Sequence, residues 1–115
     1  MSKTPAPYTP AVRAGPWLVC SGQLGRVGDQ LLEGFEAQLR QCLANLTEVL
    51  GTEGASLDDV VKTTVFLADI ANYSELNRIY LEVFSEHRPA RSAFAVAALP
   101  LGALVEIEAW AYLQS

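Results

Sequence analysis

Between Trp17 and Gln23 the chain reads Trp-Leu-Val-Cys-Ser-Gly-Gln, a short apolar run ended by glycine, which predicts a buried strand. A weaker strand, Ala11 to Ala14, precedes it across the Gly15-Pro16 turn, and Gly25, Gly28 and Asp29 make the following loop. From Leu32 to Leu50 the period changes. Phe35, Leu39, Leu43, Leu46 and Leu50 recur at steps of three and four, with Glu36, Arg40 and Glu48 off the stripe. That spacing predicts an amphipathic helix, ended by Gly51 and Gly54. Ser56 and Asp59 suit a capped turn. The β-branched run Val60 to Leu67 predicts a strand. A second helix is expected from Asn72 to Ser85, with Tyr73, Leu76, Asn77, Tyr80, Val83 and Phe84 on its inner stripe. Two strands close the chain, Arg91 to Leu99 and Leu104 to Leu113, with Pro100-Leu101-Gly102 as the turn between them.

The order β-β-α-β-α-β-β predicts an α+β fold, with both helices on one face of a mixed sheet. The other face is then uncovered. In the last strand Val105, Ile107, Ala109, Ala111 and Leu113 point one way, and Glu106, Glu108, Trp110 and Tyr112 the other. Acids mixed with large aromatics, and Thr64 and Phe66 on the middle strand, suit a subunit interface that holds a polar site. A homo-oligomer is the expectation.

Composition narrows the class. The 115 residues suit a single domain, 1–115, with residues 1–10 as an extended arm carrying Pro5, Pro7 and Pro10. At 50% hydrophobic and 18% charged the chain can bury a core. No apolar run approaches the roughly 18 residues of a membrane span. Met1 to Pro10 has one lysine and no apolar segment, so the cytoplasm is the expected location. The net charge of −5, with basic residues scattered along the chain, argues against a nucleic-acid partner. Cys20 and Cys42 have no CxxC spacing and His87 is the only histidine, which argues against a zinc site; the cysteines read as small buried hydrophobes.

Three residues carry candidate chemistry. Arg91 stands where a loop enters a strand, a rigid place from which a planar guanidinium can grip a carboxylate; a surface ion pair is the alternative. Glu106 lies among apolar and aromatic neighbours, where burial would raise its pKa and suit it to proton transfer; a carboxylate in water is the alternative, and Glu108 shares its face. Asn77 interrupts an apolar stripe, so its amide bridges helices or meets a ligand. Tyr8 and Ser21 offer hydroxyls.

At these residues the chain resembles the YjgF/RidA family, also called the endoribonuclease L-PSP family. Four stretches carry the likeness: Ser21-Gly22-Gln23; Asp59 to Leu67; Asn77 to Phe84; and Pro89-Ala90-Arg91-Ser92, Leu99-Pro100 and Val105-Glu106-Ile107-Glu108-Ala109. The resemblance implies a chorismate mutase-like homotrimer with three clefts between subunits. It implies hydrolysis of reactive 2-enamines and 2-imines to 2-oxo acids and ammonia, with no metal or organic cofactor. The small 2-imino or 2-oxo carboxylic acid would sit in the cleft. Arg91 would hold its carboxylate and Glu106 a water, while Tyr8, Ser21 and Asn77 line the site. Ala93 stands where the family often has cysteine, in a role that is largely main-chain. RNA cleavage, which the older family name implies, and carboxylate binding without catalysis are the competing functions.

Overall fold

The computed structural model describes residues 6–114. The first five residues of the expected arm, Pro5 among them, lie outside the described residues. The elements are β1 (Ala11–Ala14), β2 (Trp17–Leu24), β3 (Arg26–Val27), β4 (Gln30–Leu31), α1 (Phe35–Thr52), β5 (Val60–Leu67), α2 (Tyr73–Val83), β6 (Ala90–Ala95) and β7 (Val105–Tyr112). Five strands form one mixed sheet in the order β1-β2-β7-β5-β6. Only the β5–β6 pair is parallel within it. The architecture is α+β, with two helices packed on a mixed sheet, as the hydrophobic pattern predicts.

The packed face is built by alternation. Leu18 and Cys20 of β2, Thr63, Val65 and Leu67 of β5, and Val105, Ile107, Ala109 and Ala111 of β7 are buried. Against them α1 lays Phe35, Leu39, Leu43, Leu46 and Leu50, the predicted stripe, together with Cys42. Each fully buried leucine contributes roughly 2 kcal/mol through surface removed from water. The helix α2 adds Leu76, Ile79 and Tyr80, and Tyr80 reaches through to β5, its hydroxyl 2.6 Å from Thr63 Oγ1. The capped turn at Ser56 is present, with the Ser56 N–H donating to Asp59 Oδ2 at 2.9 Å.

Several boundaries differ from the sequence reading. The first helix starts at Phe35, because Gly34 (φ 89°) has a backbone conformation that helical residues do not adopt. The segment read as a loop forms the small β3–β4 hairpin, in which Arg26 pairs with Leu31. The sixth strand stops at Ala95, opposite Leu67, where its only sheet partner β5 also ends. The last two strands are not hairpin neighbours. β7 inserts between β2 and β5, while β6 lies on the outer edge. Pro100–Gly102 is therefore part of a crossover.

The other sheet face carries Val12, Trp110, Tyr112 and Phe94, each more than two-fifths exposed. Trp17 meets Trp110 and Tyr112 edge-on, with ring centroids 6.0 and 5.1 Å apart. An aromatic face of this kind is unusual for a surface that meets only water.

Candidate active site

Arg91 is the second residue of β6. It pairs with Thr63, which places it on the helix side of the sheet. Tyr73, Asn77 and Tyr80 follow one another at steps of four and three along α2, so one stripe of that helix meets the guanidinium. Arg91 Nη2 donates to Asn77 Oδ1 at 2.7 Å and to the Tyr73 hydroxyl at 3.3 Å. Its guanidinium carbon lies 4.8 Å from the Tyr80 ring centroid and 5.5 Å from that of Tyr73, both within cation–π range. All these partners are neutral. Among the described residues no carboxylate pairs with Arg91, and its Nε and Nη1 have no hydrogen-bond partner. A fixed, unneutralised guanidinium with free N–H groups is an anion receptor. Ala93, two residues further along, shares this face and packs against the core.

Glu106 belongs to the opposite face. It pairs with Phe66 on one side and Leu24 on the other. With Tyr8 and Ser21 it lines a cavity of about 650 Å³. Burial, and secondarily the charge of Glu108, push its carboxyl above the ordinary range. A bulge in β2 between Cys20 and Gln23 brings Gly22 against this carboxylate. A Cβ at Gly22 would collide with Glu106 Oε2, so only glycine leaves that carboxylate in place. Ser21 anchors the N-terminal arm: its Oγ donates to the Thr9 carbonyl at 2.7 Å and its N–H to that of Pro10 at 2.8 Å. This holds Tyr8 at the cavity.

The expected site residues thus form two groups. Asn77, Arg91 and Ala93 lie on the helix side, and Tyr8, Ser21 and Glu106 on the open side. One chain does not bring Arg91 and Glu106 together. The cysteines and His87 belong to neither group. Burial pushes the Cys20 thiol up to about 11 and that of Cys42 up to about 12, so both stay protonated and unreactive near neutral pH. His87 Nε2 donates to the Val60 carbonyl at 2.6 Å.

Residues 1–113 match the endoribonuclease L-PSP family. The chain belongs to that family. It is 42% identical over 106 residues to human 2-iminobutanoate/2-iminopropanoate deaminase, covering 90% of this chain and 77% of that protein. It is 44% identical over 117 residues to the Arabidopsis thaliana protein Reactive Intermediate Deaminase A, chloroplastic. That match takes in 96% of this chain but only 63% of the relative's length. Among solved structures, E. coli TdcF with bound serine superimposes with a TM-score of 0.90 at 31% identity, over 96% of this chain and 91% of that one.

Within this L-PSP chain the structure adds residues that the pattern did not single out. Tyr73 and Tyr80 read as core positions, yet they frame Arg91. Arg26 and Leu101 line the Glu106 cavity. Leu101 has φ 61°, a left-handed conformation that bulky residues rarely adopt, at the cavity rim. The Pro-Leu-Gly spelling signals a turn there and gives no hint of the cavity.

Proposed function

We propose that this protein hydrolyses 2-imino acids of the 2-iminobutanoate and 2-iminopropanoate type to 2-oxo acids and ammonia, in clefts where Arg91 of one copy faces Glu106 of another. The observation that carries this reading is Arg91 itself, a guanidinium oriented by neutral groups and matched to a carboxylate that none of the described residues supplies. The names of the human and Arabidopsis relatives support the same chemistry.

The steps follow from the residues. Arg91 binds the substrate carboxylate through the N–H groups left free by Asn77 and Tyr73, which orients the adjacent C=N bond. Glu106, its basicity raised by burial, takes a proton from a water whose oxygen attacks the imine carbon. The resulting carbinolamine receives a proton on nitrogen, the C–N bond breaks with its electron pair leaving on nitrogen, and ammonia departs. Loss of the remaining hydroxyl proton leaves the 2-oxo acid. Tyr8 borders the reacting space, and the main chain of Ala93, two residues along β6 from Arg91, is assigned to the same cleft.

The opposite placement of Arg91 and Glu106 supports a homo-oligomer, a trimer with its aromatic sheet faces turned inward. Sedimentation distinguishes it from a monomer. RNA cleavage has weaker support, since His87 is committed to a backbone carbonyl away from both groups and the chain is acidic. No helix among the described residues is long and apolar enough to cross a membrane. The proposal keeps the activity in the cytoplasm, although the Arabidopsis relative is named chloroplastic; cell fractionation tests this.

The deciding experiment generates 2-iminopropanoate or 2-iminobutanoate in situ with an amino-acid oxidase and follows ammonia release. Wild type accelerates release. Arg91→Ala loses about 10³-fold in kcat/KM, the scale of removing one partner from a desolvated charge pair. Equal rates for the two proteins would overturn the proposal.

A further inference from the structure

The Glu106 cavity holds a second charged side chain that the mechanism above does not use. Among the residues lining it, only Glu106 and Arg26 are charged, and Leu24, Val49 and Leu101 make much of the rest apolar. Arg26 is half-buried, and no carboxylate or hydrogen-bond acceptor among the described residues meets its guanidinium. This contrasts with Arg40 and Arg78 on the helices, which are ion-paired with Glu36 and Glu82.

The backbone that carries Arg26 is fixed. Asn45 Nδ2 donates to the carbonyls of Leu24 at 3.0 Å and Arg26 at 2.9 Å, clamping this corner to α1. Asn45 is itself held, its Oδ1 accepting from Gln41 Nε2 at 2.8 Å. Next door, Gly25 packs so closely on the Gln38 backbone that no Cβ would fit. An arginine that lines a largely apolar cavity from a clamped corner, with no partner among the described residues, is suited to receive a second anion.

We propose that Arg26 fits this cavity for 2-imino dicarboxylic acids, the imines of acidic amino acids, by holding the side-chain carboxylate while Arg91 of a second copy holds the carboxylate next to the imine carbon. This inference rests on the deaminase reading above and names the substrate class of that site. The reaction is unchanged: water adds across C=N, the C–N bond breaks, and the products are a 2-oxo dicarboxylate and ammonia. Arg26 acts on specificity. With Glu106 ionised, a second substrate carboxylate would meet only repulsion if the guanidinium were absent. A purely aliphatic side chain, conversely, would cover Arg26 without giving it a partner.

The test follows ammonia release from 2-iminosuccinate, made from aspartate by L-aspartate oxidase, and from 2-iminobutanoate. It compares wild type, Arg26→Met and Arg26→Lys. Wild type is expected to accelerate both. The ratio of kcat/KM for the dicarboxylic over the monocarboxylic imine is expected to fall about tenfold in Arg26→Met, the scale of one charge-assisted hydrogen bond, and to recover in part in Arg26→Lys. An unchanged ratio in Arg26→Met, or a wild type that accelerates only 2-iminobutanoate, overturns this inference alone. Acceleration of neither imine overturns the deaminase reading and this inference with it.

Discussion

On the helix side of the sheet, Arg91 lies between Tyr73 and Tyr80 with Asn77 at 2.7 Å, an arrangement completed inside one chain. On the open side, Glu106 faces a cavity bordered by the N-terminal arm and the Pro100–Gly102 turn. The guanidinium is positioned by many contacts. The carboxylate is positioned mainly by space, because Gly22 leaves it room that any other residue would fill. A cation needs orientation to read a carboxylate, and stacked rings with an amide supply it. A general base needs a raised pKa and access to water, and a half-buried place on an open face supplies both.

The comparison can be broken first at Glu106. Replacing it (Glu106→Gln) removes the proposed base without changing shape, and kcat should fall by about 10³-fold in the imine assay. The sign of the pH effect follows from its raised pKa. In the proposed mechanism the carboxylate form is the active one, so wild-type kcat should be full well above that pKa and fall as pH drops through it. That fall begins at a higher pH than for a carboxyl at the ordinary 4.5. Residual activity in Glu106→Gln should lack this acid limb; retention of the limb would assign it to another group.

A smaller effect is expected at Gly22→Ala. The added methyl displaces the Glu106 carboxylate while the Arg91 side stays intact, so activity should fall roughly tenfold to a hundredfold through misplacement. Its melting temperature should change far less than its kcat. Equal kcat for Gly22→Ala and wild type would show that Glu106 is not held by that contact.

The smallest effect on chemistry is expected at Tyr80→Phe. The ring remains under Arg91, but the buried Thr63 hydroxyl loses its partner. Stability should fall by about 1–3 kcal/mol in denaturant unfolding, with KM little changed. A large rise in KM with unchanged stability would make the Tyr80 hydroxyl part of the binding site.

Much of the fold is legible in the sequence because burial on one side leaves a period. The β7 alternation from Val105 to Tyr112 and the α1 stripe from Phe35 to Leu50 are both present as read. Strand order leaves no such period. Nothing in the run Arg91 to Leu113 says that β7 inserts between β2 and β5 while β6 takes the edge. For the same reason, Arg91 and Glu106 are visible as candidates, but their separation to opposite faces is not. It depends on β6 pairing in register with β5, Arg91 opposite Thr63. Arg26 escapes notice because its corner depends on Asn45, nineteen residues further along the chain.

The central claim is that the two half-sites combine between copies of this chain. Arg91→Ala and Glu106→Gln, each expected to keep only about a thousandth of wild-type activity alone, should be unfolded together, refolded as an equimolar mixture and assayed for ammonia release. Random assortment joins an intact Arg91 to an intact Glu106 at about one interface in four, so activity should return to about a quarter of wild type. Activity no greater than the two variants refolded separately would contradict the claim.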